Sequence, residues 1–260
     1  MTSIVRVTVG ELRSGGGHLA DDWAALAAHV RDEGSDLVLL PEMGLVPWFA
    51  RSRPFDAAAW QAAVDAHEAW LPRLADLAPA VVLGTRPVNT PGGRRNEAFA
   101  WDAAGGYRAA HTKYYLPDEA DFWEASWYAR GDGRFDALDT PVARVGFMVC
   151  TEMWFYQHAR AYGQDGAHLI ATPRCTPRET LDKWLAGGRA SAVVAGAYSL
   201  SSNHGDERFG GLGWIIDPDG NVLATTSRER PWATVAIDLD VAMAAKQTYP
   251  RYVVDGGENS

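Results

Sequence analysis

Short apolar runs alternate along this chain with amphipathic stretches of helical length, and that alternation limits the folds open to it more than any other feature. Residues 3–9 and 36–40 (DLVLL) read as strands around a helix at about 19–32, which Gly34 stops. The alanine-rich stretch 57–77 reads as a second helix leading into the strand AVVLGT at 80–85. NEAFAWD (96–102) and GYRAAHT (106–112) flank the turn AAGG as a hairpin. Residues 114–140 have no period and are rich in aromatics, Asp and Gly, so they read as a long ordered loop. Further on, 143–149 reads as a strand, 155–165 as a helix, 167–172 as a strand and 179–195 as a helix. AYSLSSN, GLGWIID, VLATT and WATVAID follow as strands, with DPDGN as a turn between two of them. Alternating αβ units with a β-rich end predict mixed α/β sheets covered by helices, a layered sandwich.

A faint internal echo points the same way. In GSDLVLLPE, Gly34 precedes Pro41 by seven residues and Glu42 follows; in GAHLIATPR, Gly166 and Pro173 repeat the spacing and Arg174 follows. Two strands ending alike, each preceded by a helix, suggest two related halves. With 260 residues the chain can bury a sizeable core as one large domain or two small ones. No Pro- or Ser-rich linker divides it, so 1–260 is taken as a single domain.

Charge and cysteine content narrow the setting. A net charge of −9 with scattered basic residues argues against nucleic acid or an anionic membrane surface as partner. MTSIVRVTVGEL alternates like a strand and lacks the plan of a signal peptide. No segment approaches the roughly 18 uninterrupted apolar residues of a membrane helix. Two cysteines far apart make a poor disulfide framework, so a cytoplasmic protein is expected. Of 24 basic residues only Lys113, Lys183 and Lys246 are lysine, which hints that a compact ammonium is wanted where one appears.

Three strand ends carry candidate chemistry. Glu42 follows DLVLLP and either caps the strand in solvent or points into a cleft. Lys113 opens the aromatic segment HTKYYLPDEADFWEASWYARGD, which can pack as the wall of a small pocket; the plainer reading is a lysine lying over apolar surface. Cys150 ends the strand ARVGFMV and is either a core thiol or a nucleophile, the latter needing a base or cation nearby.

LLPEMG, KYYLPDE and GFMVCTEMWF, in that order, resemble the motifs of the nitrilase or carbon–nitrogen hydrolase superfamily. The similarity continues through FYQHARAYGQDGAHLIATP and covers nearly the whole chain. The resemblance implies a four-layer αββα sandwich, often paired into a homodimer or higher homo-oligomer. It implies Glu42 as general base, Lys113 as electrostatic stabiliser lowering the thiol pKa, Cys150 as nucleophile, and the Thr151 backbone N–H as an oxyanion donor. A second glutamate is carried by many members; Glu124 has the spacing of the carbamoyl-amine branch, and Glu119 is its rival.

Departures bear on the substrate. Trp154 stands where many members have Arg, which resembles the carbamoylputrescine-hydrolase branch and favours an apolar or amine-bearing substrate. Trp123, in the aromatic loop, is a further candidate for the substrate wall. Arg174 either reaches the pocket to bind a carboxylate or is a surface charge near a helix N-cap. The expected reaction is cleavage of a small amide or N-carbamoyl compound through a thioester, with release of ammonia. The alternatives are nitrile hydrolysis, acyl transfer to an amine, or a non-catalytic binding protein on the same scaffold. A Cys-His-acid enzyme using His204 and Asp206 is disfavoured because Met148 and Glu152 occupy positions where a sharp nucleophile elbow wants small residues, and His204 reads as a loop residue. Cys175 reads as structural, with a pocket-wall thiol as the alternative, and GGGH (15–18) as a loop; no metal-ligand spacing or phosphate loop appears, so no cofactor is expected.

Overall fold

Four layers, helix–sheet–sheet–helix, result from the alternation. The computed structural model describes residues 3–254; residues 1–2 and 255–260, at the ends of the expected domain, lie outside the described residues. The strands are β1 (Ile4–Leu12), β2 (Leu37–Leu39), β3 (Val81–Thr90), β4 (Gly93–Asp102), β5 (Gly106–Thr112), β6 (Leu138–Asp139), β7 (Arg144–Phe147), β8 (Leu169–Pro173), β9 (Tyr198–His204), β10 (Trp214–Ile216), β11 (Val222–Thr225) and β12 (Trp232–Asp238). The helices are α1 (Leu19–Glu33), α2 (Ala57–Trp70), α3 (Glu124–Trp127), α4 (Tyr156–Gln164), α5 (Leu181–Ala195) and α6 (Leu239–Ala245).

One sheet runs β12-β1-β2-β3-β4-β5 and the other β11-β10-β9-β8-β7-β6, joined where the ends of β1 and β9 pair at Glu11↔Asn203 and Leu12↔His204. Each has three parallel strands at its centre, β1-β2-β3 and β9-β8-β7, and antiparallel strands outside. Strand periodicity then sorts the side chains. Val5, Val7, Val9, Leu37, Leu39 and Leu83 meet Val145, Phe147, Leu169, Ala171 and Leu200 between the sheets. The opposite face of the first sheet, with Leu12, Val38, Leu40, Val82 and Phe99, packs on Trp23, Leu26 and Val30 of α1 and on Leu74 and Leu77. Met148, Ile170 and Ala197 pack on Ala159, Tyr162 and Ala195 of α4 and α5. The two echoing strands, β2 and β8, are the middle strands of the two parallel trios, and the residues after their prolines touch: Glu42 N donates to Arg174 O at 3.3 Å.

Several expected boundaries move. The helix at 57–77 ends at Trp70 and tightens into a 3₁₀ segment, Leu71–Leu77, where Pro72 removes a donor. β3 runs on to Thr90 and pairs with β4 through Thr90↔Gly93, a hairpin that Pro87, Pro91 and the glycines had concealed. The strand in GLGWIID shrinks to Trp214–Ile216, and the loop at 114–140 contains the short α3 and β6. His204 is the last residue of β9 and fully buried, not a loop residue.

The outer helix layer tolerates no added bulk where α4 meets α5: a Cβ on Gly163 would run into the Ala195 carbonyl oxygen. Gly163→Ala is therefore expected to destabilise the fold by about 1–3 kcal/mol despite the gain of about 1 kcal/mol that alanine brings to a helix, read as a lower urea midpoint.

Candidate functional site

Residues at the ends of β2, β5 and β7 meet at one edge of the sandwich. Lys113 directly follows β5, and its ammonium is fully buried between two carboxylates, 2.7 Å from Glu42 Oε1 and 2.7 Å from Glu124 Oε2. Its backbone is held on both sides, N–H to Asn96 O and C=O from Gly131 N–H, each at 2.9 Å. Burial pushes the Lys113 value down, but Glu124, Glu42 and Cys150 outweigh it and hold the lysine charged. Glu42 Oε1 also accepts from Asn96 Nδ2 at 2.8 Å, whereas Glu42 Oε2 is buried with no hydrogen-bond partner. Glu124, at the start of α3, accepts from the Tyr128 hydroxyl. Of the two candidate glutamates, Glu124 contacts the lysine; Glu119 is exposed on the cavity rim.

The turn bearing Glu42 is fastened from below. Its carbonyl accepts from His204 Nε2 at 2.7 Å, and Met43, in the left-handed region at φ 45, donates to Thr85 Oγ1 at 2.7 Å.

Cys150 begins a 3₁₀ turn, Cys150–Trp154, three residues beyond the end of β7. Its φ of 50 is left-handed, so the backbone does form a strained elbow, although Met148 and Glu152 flank it. The reason is Glu152. This buried carboxylate accepts from Val149 N at 2.8 Å, from Tyr114 N at 2.7 Å and from His111 Nε2 at 2.9 Å. It thereby ties the cysteine turn to the residue after Lys113. The glutamate acts as a clamp between the two segments.

The cysteine thiol is not held ionised. Burial pushes its pKa up, Glu42 and Glu124 add to that, and Lys113 together with the Cys175 backbone N–H opposes them without prevailing. The expectation that Lys113 lowers the thiol pKa holds for its own effect and fails for the sum. Cys175 is also a wall residue of the cavity, so it is not confined to the core.

The cavity, about 310 Å³, opens over Cys150, Thr151 and Glu124. Its walls include Pro117, Phe122, Trp154, Pro177 and Trp184, with Glu119 and Lys183 also lining it. Trp154 is 39% exposed and packs on Trp184, ring centroids 5.0 Å apart. Thr151 lies in the first turn of the 3₁₀ segment, where backbone N–H groups start without a partner in the helix. Two expected substrate residues are elsewhere. Trp123 packs in the aromatic cluster around Trp48 and Trp127, beneath the Arg53 guanidinium, and is not on the cavity wall. Arg174 is neither a carboxylate binder nor a surface charge. It is fully buried, it donates to Ser201 Oγ, Thr176 Oγ1 and Leu212 O, and its guanidinium lies 4.1 Å from the Trp214 ring. Among the described residues no group of three His, Cys, Asp or Glu is placed to hold a metal ion, and no helix is long and apolar enough to cross a membrane.

A family model described as carbon–nitrogen hydrolase matches residues 17–247. The chain is 28% identical to a chloroplastic omega-amidase of Arabidopsis thaliana over 84% of its own length and 63% of that protein's. It is 26% identical to an N-carbamoylputrescine amidase of the same plant over 57% of its length and 56% of that protein's. The chain thus spans under two thirds of the length of these relatives. The fold matches that of a carbon–nitrogen hydrolase from Helicobacter pylori G27 with a TM-score of 0.86, 20% identity, and coverage of 95% of this chain and 94% of that one.

Burial, with the Glu42 charge adding to it against Lys113, raises the Glu124 carboxyl from 4.5 to about 7 within this coupled cluster. An acid raised in the fold favours its protonated form there, so its ionisation removes stability as pH rises from about 4.5 through about 7. Thermal midpoints of the protein and of Glu124→Gln across that window check this: the fall attributable to Glu124 is expected to be absent from the variant.

Proposed function

This chain belongs to the carbon–nitrogen hydrolase family, and from that premise we propose that it hydrolyses a small amide or N-carbamoyl compound through a thioester on Cys150. The observation that carries the reading is the buried Glu42–Lys113–Glu124 cluster beside a cysteine on the cavity wall. The unpartnered Glu42 Oε2 is the oxygen free to accept a proton. The two plant relatives, an omega-amidase and an N-carbamoylputrescine amidase, agree with this substrate class.

The chemistry follows from the charges. Because the thiol is held protonated, Cys150 attacks the carbonyl carbon as Glu42 removes the Sγ proton. The S–C bond forms, and the carbonyl electron pair moves to oxygen. Lys113 and the Thr151 backbone N–H stabilise that oxyanion. Glu42 then returns the proton to the departing nitrogen, the C–N bond breaks, and the thioester remains. Water attacks next, its proton going to Glu42, and C–S cleavage returns the acid and the thiol. Glu124 holds the Lys113 ammonium in place through both halves.

Ammonia release from small amides, N-carbamoyl amines, N-carbamoyl amino acids and nitriles tests the proposal. Release from amides or carbamoyl compounds, absent in Cys150→Ala, is the expected result; release from nitriles alone overturns it. Lys113→Met is expected to lower kcat by about 10²–10³ through loss of an oxyanion donor, with circular dichroism confirming that the variant folds.

A further inference from the structure

Two charges at this cavity have no protein partner. Lys183 comes from the first turn of α5 and Glu119 from the loop before α3, and both line the cavity that holds Cys150 and Thr151. Among the described residues neither side chain makes a hydrogen bond or ion pair, with the other or with any third group. The other two lysines are fully engaged. Lys113 lies between its carboxylates, and Lys246 donates to Ala167 O and Gly196 O at 2.7 and 2.9 Å. In a chain that takes nearly all its positive charge from arginine, Lys183 is, among the described residues, the one lysine ammonium left to meet a ligand.

The surroundings limit what that ligand carries. Phe122 and the Trp154–Trp184 pair offer apolar wall for a short carbon stem. A substrate whose reacting carbonyl sits at Cys150 presents its far end to the remaining polar wall. A lone carboxylate there is attracted by Lys183 and repelled by Glu119; a lone ammonium meets the reverse. An end bearing both groups satisfies both side chains.

We propose that the cavity selects a zwitterionic end: the substrate is a small amide or N-carbamoyl compound whose far end carries a carboxylate, taken by Lys183, and an ammonium, taken by Glu119. This deepens the hydrolase reading above and rests on it. The test compares kcat/KM for L-glutamine, which bears both charges, glutaramate with the carboxylate only, 4-aminobutanamide with the ammonium only, and neutral butanamide. The zwitterion is expected to exceed the neutral amide by about 10-fold or more, mainly through KM, as hydrogen bonds to charged groups do. Lys183→Met is expected to shift preference toward the ammonium-only compound and Glu119→Gln toward the carboxylate-only one. Loss of a merely structural side chain would move all four substrates together. Equal rates on the four compounds, or a preference for a singly charged one in the wild type, overturn the zwitterion reading and leave the hydrolase reading standing. Silence toward all four and toward the N-carbamoyl compounds, while Cys150 still reacts with iodoacetamide, removes both.

Discussion

A lysine ammonium with no exposed surface, held between two buried carboxylates, is the constraint around which the rest of the structure is arranged. Taking one such charge out of water costs several kcal/mol, and only close pairing with good geometry offsets it. The three partners come from the residue after β5, from the turn after β2 and from the start of α3, so their pairing fixes three distant stretches of chain to one point. Removing the lysine would leave two buried carboxylates with no cation between them. That dependence makes the cluster a poor place to gain stability and a good place to hold groups in register.

Around it stand residues that hold backbone. Glu152 draws together Val149, Tyr114 and His111, and so sets the distance between the cysteine turn and the lysine strand. His204, from the other sheet, does the same for the carbonyl of Glu42. Arg174 occupies the interior beyond the end of β8, bonded to β9 and to the Leu212 carbonyl. The left-handed backbone at both Met43 and Cys150 persists because these contacts over-determine it.

Much of this was legible in the sequence where a local pattern carried it. An apolar strand followed by a proline and an acid, or by a cysteine, marks a strand end whatever lies across from it, and the structure places Glu42 and Cys150 at such ends. Alternation pointed to sheets covered by helices, and the count of four layers came from the family resemblance. What stayed hidden depends on partners far along the chain. His204 is 162 residues from the carbonyl it holds, and Glu152 is 38 from Tyr114. Arg174 reads like any charge after a strand until the second sheet closes over it. The β3–β4 hairpin was missed for a different reason: Pro87 and Pro91 carry the usual marks of a loop, yet Pro87 sits in a paired strand.

The protonated state of Cys150 carries a consequence for the lifetime of the protein. A permanent thiolate in an open cavity reacts with any peroxide or electrophile that diffuses in, and oxidation beyond the sulfenic stage is not readily reversed. Here burial and two neighbouring carboxylates favour the sulfur as a thiol. Sulfur kept in that form is less open to such chemistry than a standing thiolate.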